Sequence, residues 1–255
     1  MNQTVTVRAQ YATDQNLSRR ISIHEAYSVN KQGFGPWVVS HYPITPGCRV
    51  LELGCGTGSM WQDQDALIQK CAELVLSDFS AGMLETARAN VTGPNVRHAV
   101  IDIQDIPFPD ESFDLVIANM MLYHVPDLPK ALREVRRVLK PGGTFLCATY
   151  GEHGIMEYLS GILAHLGIRD ETSRNFTLQN GASHLASCFS QVDCRHYPDA
   201  LAVTNAEDLV DYLYSLSSMT ALTSLPRSTV REALEAHMVD GLLIVPKEYG
   251  LFLAR

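Results

Sequence analysis

From residue 49 onward, short apolar runs alternate with amphipathic stretches. That pattern belongs to a parallel sheet covered by helices. Five runs predict strands: Arg49–Leu53, Glu73–Asp78, Val96–Asp102, Phe113–Asn119 and Thr144–Tyr150. The clearest helix covers Leu128–Lys140, with Leu128, Leu132, Val135 and Leu139 on one face and a stop at Pro141-Gly142-Gly143. A second covers Ser228–Val239, where Val230, Ala233, Leu234, His237 and Met238 repeat at helical spacing. A third is expected at Ile155–Leu166. The C-terminal GLLIVPKEYGLFLAR falls into two apolar halves around Pro-Lys-Glu-Tyr-Gly, predicting a bulged strand or a hairpin-like end. The first 45 residues break the alternation. They read as a helical segment carrying Tyr11, Tyr27, Phe34 and Trp37 among polar residues.

No repeat, low-complexity tract or flexible linker divides the chain, so the reading is one domain over 1–255. Within it, 1–45 forms a helical lid, 46–150 a ligand-binding core, 151–240 an insertion with further helices, and 241–255 a terminal strand. The composition fits. Of 255 residues, 46% are hydrophobic and 19% charged, enough apolar surface for a sizeable core and too little charge for a disordered chain. The net charge of −8 argues against binding the phosphate backbone of nucleic acid. No run reaches the ~18 apolar residues that a membrane span needs. The polar start MNQTVTVRAQYATDQ lacks an apolar signal core, so a cytoplasmic protein, monomer or homodimer, is expected. Six scattered cysteines without a CxxC pair read as buried free thiols, and His184, Cys188, Cys194 and His196 match no compact zinc spacing.

The chemistry concentrates at Val50-Leu51-Glu52-Leu53-Gly54-Cys55-Gly56-Thr57-Gly58. An apolar strand ends there in an acid and turns through glycines, whose missing Cβ lets backbone N–H groups approach a ligand. In an open parallel sheet such a loop lies on the ligand, beyond the carboxyl ends of the strands. The second strand ends about twenty residues later in Asp78, placed to accept from two ribose hydroxyls or to cap the helix that follows. Together they indicate a nucleoside-containing ligand. A dinucleotide fingerprint would put a third glycine where Ser59 stands, and Glu52 would repel a pyrophosphate. An acid there suits a ligand with a cationic amino group.

Four ordered segments carry a resemblance: LELGCGTG at 51–58, SDFSAGML at 77–84, IDIQDIPFPDESFDLVIANMMLYHV at 101–125 and LREVRRVLKPGGTF at 132–145. The chain resembles class I S-adenosylmethionine-dependent methyltransferases, nearest the small-molecule branch of the ubiquinone/menaquinone type, also called type 11. The resemblance implies an α/β fold, a Rossmann-like doubly wound and mostly parallel seven-stranded sheet with helical lid elements. It implies Gly54, Cys55 and Gly56 at the methionine part of the cofactor, with Glu52 near its ammonium, and Asp78 at the ribose. It further implies Phe79 and Met83 flanking the adenine, Asp102 and Ile103 at the adenine edge, and Asn119 and Met120 on the methionine side. Tyr27 of the lid joins this set. The sequence departs from the family where the third motif reads Ile101-Asp102-Ile103, and where a polar stretch with Trp61 follows the glycine loop.

The reaction so implied is displacement at a sulfonium methyl group by an O, N or C nucleophile of a small-molecule acceptor. The protein then supplies mainly orientation and desolvation. A base is needed only for a protonated acceptor, and His124, His24 and then His153 are the candidates. Tyr27, Trp37, Met156, Tyr158, Tyr212 and Tyr214 suggest an apolar or aromatic acceptor pocket. Two alternatives stand beside this reading: a catalytically silent cofactor-binding or regulatory module, and a nicotinamide-dependent oxidoreductase.

Overall fold

The computed structural model describes residues 22–216 and 219–255. Tyr11, Arg19 and Arg20 lie outside them. Seven strands form one sheet: β1 (Cys48–Leu53), β2 (Cys71–Asp78), β3 (Val96–Val100), β4 (Phe113–Asn119), β5 (Leu139–Tyr150), β6 (Val192–Val203) and β7 (Leu243–Ala254). Their order is β3-β2-β1-β4-β5-β7-β6. Strands β1 to β5 pair in parallel, while β7 runs antiparallel to both β5 and β6. The expected doubly wound α/β sheet is therefore present. Its order reverses between β1 and β4, and in such a sheet the crevice at that reversal is where ligands bind.

The helices follow from the sequence pattern. In chain order they are α1 (Phe34–Val39), α2 (Asp65–Ile68), α3 (Ala81–Asn90), α4 (Leu128–Val138), α5 (Ile155–Leu163), α6 (Gly181–Leu185), α7 (Ala206–Tyr214) and α8 (Arg227–Glu235). Both faces of the central strands are covered: Leu51 and Leu53 point into one apolar cluster with α4, and Val50 into the other with α1 and α3. Strands buried on both sides must be apolar throughout, which is why RVLEL and FDLVIAN read as continuous runs. Helix α4 starts where Asp127 accepts from the Lys130 N–H at 3.0 Å, with a proline in its first turn. A third cluster gathers α5, α7, α8 and the outer halves of β6 and β7. Most of that cluster comes from residues 151–240, joined by Ile23, Leu243 and Val245.

Several boundaries differ from the sequence reading. Helix α4 ends at Val138, and β5 runs through Pro141-Gly142-Gly143 instead of starting after it. A register shift opposite Phe113 and Leu115 accommodates the extra residues, with Gly142 at φ 75°. The C-terminal segment is one continuous strand, paired residue by residue with β6. Pro246 is tolerated because β5 pairs only with Tyr249–Ala254, so at Pro246 the strand has a partner on one side alone. Strand β3 stops at Val100, and Asp102 falls in the turn beyond it, bridged to Asp105. Helix α8 ends at Glu235 rather than Val239, and α5 at Leu163, followed by a short 3-10 turn.

The N-terminal segment departs most. Residues 22–27 are helical, and Ser28 then bridges Leu201 of β6 in antiparallel fashion. The segment thus attaches to the sheet edge. Trp37 of α1 packs on Phe34 and Tyr197 rather than over the crevice. Among the described residues no helix is long and apolar enough to cross a membrane.

Candidate functional site

A cavity of about 990 Å³ opens at the carboxyl ends of β1, β2 and β4, at the reversal of strand order. Glycines shape its inner end. Gly54 has φ 73°, and a Cβ there would lie 2.9 Å from the Met121 side chain. Gly56 has φ 57° and open space where a Cβ would stand, so its backbone faces the cavity bare. Gly58 packs the loop onto α3, since a Cβ would sit 3.0 Å from Val91.

Asp78 braces that loop. One carboxylate oxygen accepts from the Gly56 N–H at 2.9 Å and the other from the Ser80 N–H at 2.8 Å. Burial raises its pKa, and these backbone donors pull it back. The N-cap of α3 is Ser80, whose hydroxyl accepts from the Met83 N–H at 3.4 Å, so Asp78 is not the helix cap. Each Asp78 oxygen keeps a further lone pair for a ligand hydroxyl. Phe79, Met83 and Ile103 line the same wall with Asp102. The Asp102 carboxylate accepts from the backbone N–H and the side-chain amide of Gln104, which holds it at the cavity edge.

Beneath the glycine loop lies a buried polar group. Glu52 accepts from the Trp61 indole at 2.5 Å and from the Asn119 amide at 3.1 Å. The same amide donates to the Tyr42 hydroxyl at 2.8 Å. Burial pushes the Glu52 carboxyl up to about 7, against the lowering effect of its two donors. The Asn119 carbonyl oxygen is buried and has no hydrogen-bond partner. Carboxylate and orphaned carbonyl together make a place for an N–H cation. A ligand with a nucleoside at Asp78 and an ammonium at Glu52 fits these residues. Met120, next in the chain, takes φ 52°, a left-handed conformation rare for its type. It lines the cavity.

The histidines separate. His124 lies on the 3-10 turn Leu122–His124 at the cavity wall, its ring 4.5 Å from that of Tyr123. His24 lines the cavity from the N-terminal segment, edge-on to Tyr212 and Tyr249. Burial first, and the Lys247 charge second, lower its pKa to about 4, so its imidazole is neutral. His153 is outside the cavity lining and bonds Glu157 at 3.1 Å. Tyr27 is likewise absent from the lining. Its hydroxyl donates to Asp208 of α7, on the other side from the glycine loop's cavity lining. Of the aromatic and sulfur side chains expected at the acceptor, Met156 and Tyr212 line the cavity, whereas Trp37, Tyr158 and Tyr214 do not.

Sequence reasoning missed the roles of Trp61 and Tyr42, and the buried pair Lys247–Asp199. A tryptophan in an otherwise polar stretch was the available signal for the first. The other two depend on contacts between segments far apart in the sequence. Cys194 lies 3.8 Å from His196, and no group of three metal-binding side chains converges among the described residues.

Residues 51–147 match the family model described as a methyltransferase domain. The chain is 35% identical over 113 residues to a demethylmenaquinone methyltransferase of Symbiobacterium thermophilum, covering 43% of this chain and 45% of that protein. It is 36% identical over 120 residues to the ubiquinone/menaquinone biosynthesis C-methyltransferase UbiE of Vibrio cholerae, covering 45% of each. The chain thus spans less than half the length of the curated relatives it matches. Two solved structures share the fold across most of the chain. An S-adenosylmethionine dependent methyltransferase of Mesorhizobium loti has TM-score 0.53 at 20% identity, covering 86% of this chain and 96% of that one. The [4+2]-cyclase SpnF has TM-score 0.54 at 19% identity, covering 87% and 78%. At such identities the likeness establishes the fold, and a fold serves more than one reaction.

Proposed function

We propose that this chain, which carries a methyltransferase domain over residues 51–147, transfers a methyl group from S-adenosylmethionine to a small-molecule acceptor. The observation that carries the reading is Asp78, clamped between the Gly56 and Ser80 N–H groups beside an open glycine loop at the sheet's reversal. In this reading Asp78 accepts from the ribose hydroxyls, while Phe79, Met83 and Ile103 sandwich the adenine and Asp102 takes its amino group. Gly54, Cys55 and Gly56 lie along the methionine part. Glu52 and the Asn119 carbonyl receive the ammonium, with Met120 and Met121 walling the same end.

When bound, the sulfonium supplies a methyl group already activated for displacement. The chain's own contribution is to orient donor and acceptor and to exclude water from between them. His124 stands at the wall where β4 gives way to the next turn and is the preferred base for a protonated acceptor. His24, held neutral by burial, is a weak base and serves better as a hydrogen-bonding wall. The matched segment ends at Cys147, before α5, α7 and β7 add their share of the outer cavity. The acceptors of the curated relatives are therefore not carried over.

Calorimetric titration tests the reading. S-adenosylmethionine and its demethylated product should bind with micromolar affinity, about −8 kcal/mol. Asp78→Ala should weaken both by well over tenfold, since hydrogen bonds to a charged acceptor contribute about 1.5–3 kcal/mol each. No heat with either ligand in folded protein ends the reading. Turnover of labelled donor against a metabolite panel then separates an enzyme from a silent module.

A further inference from the structure

The walls that residues outside 51–147 add to the cavity make an outer chamber, and its charges do not balance. Six carboxylates line it: Glu25, Glu152, Glu157, Asp170, Glu171 and Glu248. Among the described residues, Lys247 and Arg174 are the lysine and arginine of the same lining. The Lys247 charge is compensated by Asp199, which pairs with it from β6, the two side chains 1% and 0% exposed. Arg174 is shared between Glu152 at 3.4 Å and Asp170 at 3.9 Å. Glu248 accepts from the His153 N–H at 2.7 Å and the Gln179 amide at 2.8 Å, neutral donors that leave its charge in place. Glu25, Glu157 and Glu171 are exposed. An excess of negative charge around a concave wall draws cations in and keeps anions out.

Two hydrogen-bonding atoms of that lining are orphaned. Nδ1 of His24 and the Thr172 hydroxyl oxygen are buried and have no partner among the described residues. Burial first, and the Lys247 charge second, keep His24 neutral, so with its ring proton on Nε2 the Nδ1 atom is an acceptor. Buried polar atoms without partners are rare in folded proteins and call for a donor from outside the chain. An ammonium brings N–H groups that either atom can take. The rings of Tyr123, Tyr150 and Tyr212 stand on the same lining. The chain itself sets a cation against such a ring, with the Lys247 ammonium 5.3 Å from the Tyr249 ring centre.

We propose that the outer chamber binds a cationic amine, and that this amine is the methyl acceptor. The acceptor role rests on the methyltransferase reading; the binding of a cation does not. The chemistry agrees with the charges. The ammonium first gives one proton to His124, the base preferred above. The freed nitrogen lone pair then forms the N–C bond as the C–S bond breaks, and that bond's electron pair stays on sulfur. Positive charge thereby moves from sulfur to nitrogen, toward the chamber's carboxylates, which stabilise it as it develops. A hydroxyl acceptor would instead have to become an anion among those same carboxylates, which oppose its ionisation.

Three probes of similar size test this by calorimetry, with and without saturating S-adenosylhomocysteine: 2-phenylethylammonium, 3-phenylpropan-1-ol and 3-phenylpropionate. The wild-type chain should bind the ammonium about tenfold or more tighter than the alcohol, and the carboxylate more weakly than either. Added salt should narrow the gap, since exposed charges are screened. Glu25→Gln with Glu171→Gln should weaken the ammonium about fivefold and leave the alcohol within about twofold, the scale of two exposed charge contacts. Alcohol or carboxylate bound as tightly as the ammonium, or no probe bound at millimolar concentration, overturns the proposal. So does a double variant that melts like wild type and keeps the full ammonium preference. If the double variant does not fold, the wild-type order decides alone. An ammonium preference that S-adenosylhomocysteine abolishes would place the cation at Glu52 instead, and also overturns it. Absence of S-adenosylhomocysteine binding would remove the methyltransferase reading and leave the ammonium selectivity standing on its own measurement.

Discussion

The Trp61 indole nitrogen lies 2.5 Å from a carboxylate oxygen of Glu52, and each residue is only 1% exposed. The family-like strand therefore ends in an acid whose partner comes from the segment that departs from the family pattern. Trp61 reaches it because the chain after Gly58 forms a 3-10 turn, Ser59–Trp61, rather than a long helix. Buried acids need donors, and this one draws a donor from each side of the sheet's switch point.

Trp61→Phe keeps the ring and removes the donor. The Glu52 carboxyl then loses one of the two hydrogen bonds that restrain its rise, so it should become neutral at still higher pH. Unfolding in denaturant should show a loss of about 1–3 kcal/mol, the cost of stranding a buried polar group. An unchanged unfolding midpoint would mean that water replaces the indole.

Glu52 also couples ligand binding to protons. With its pKa near 7, much of the carboxyl is protonated at pH 6 before binding. An ammonium placed at Glu52 and the Asn119 carbonyl favours the charged form, so binding should expel a proton. Calorimetry of S-adenosylhomocysteine at pH 6, in buffers of different ionisation heat, should give heats that vary with the buffer. In Glu52→Gln that variation should vanish. Buffer-independent heats in wild type would place the ammonium elsewhere.

Gly54 and Gly47 separate two roles of glycine. Both have positive φ, 73° and 82°, but a Cβ at Gly54 strikes Met121 at 2.9 Å while one at Gly47 meets open space. Gly47→Ala should cost about 1–2 kcal/mol, the left-handed backbone alone. Gly54→Ala should cost more and also weaken S-adenosylhomocysteine binding, because Met121 must move within the cavity wall. Equal thermal shifts in the two variants would show that Met121 yields freely.

The central sheet was legible because strands buried on both faces must be apolar, so RVLEL and FDLVIAN announce themselves. The inner cavity was legible for a related reason. Gly54, Gly56, Asp78 and Asp102 follow strand ends, and strand ends converge in this fold. What stayed hidden depends on pairing between distant segments. Nothing local says that Tyr27 will turn to Asp208, or that Lys247 will meet Asp199 across β6 and β7. Pro-Lys-Glu-Tyr-Gly reads as an interruption until its partner strand is known, because a proline is costly only where both sides are paired. The outer chamber is made of such contacts, which is why its lining was only half foreseen.

His24 and Glu52 should pull the acid stability of the empty protein in opposite directions. The folded pKa of His24 is near 4, below the ordinary 6.5, so between these values the unfolded chain holds a proton that the folded chain lacks. Its contribution to stability therefore rises as pH climbs from about 4 to 6.5. Glu52 is raised from 4.5 to about 7, so between these values the folded chain holds the extra proton. Its contribution falls over that window as pH climbs. The windows overlap, and the wild-type curve should be flatter there than either group alone would make it. Glu52→Gln should expose the histidine's rise and His24→Gln the acid's fall, each read as the unfolding midpoint in urea at half-unit pH steps. If both variants keep the wild-type slope between pH 4.5 and 6.5, neither group titrates as its burial requires.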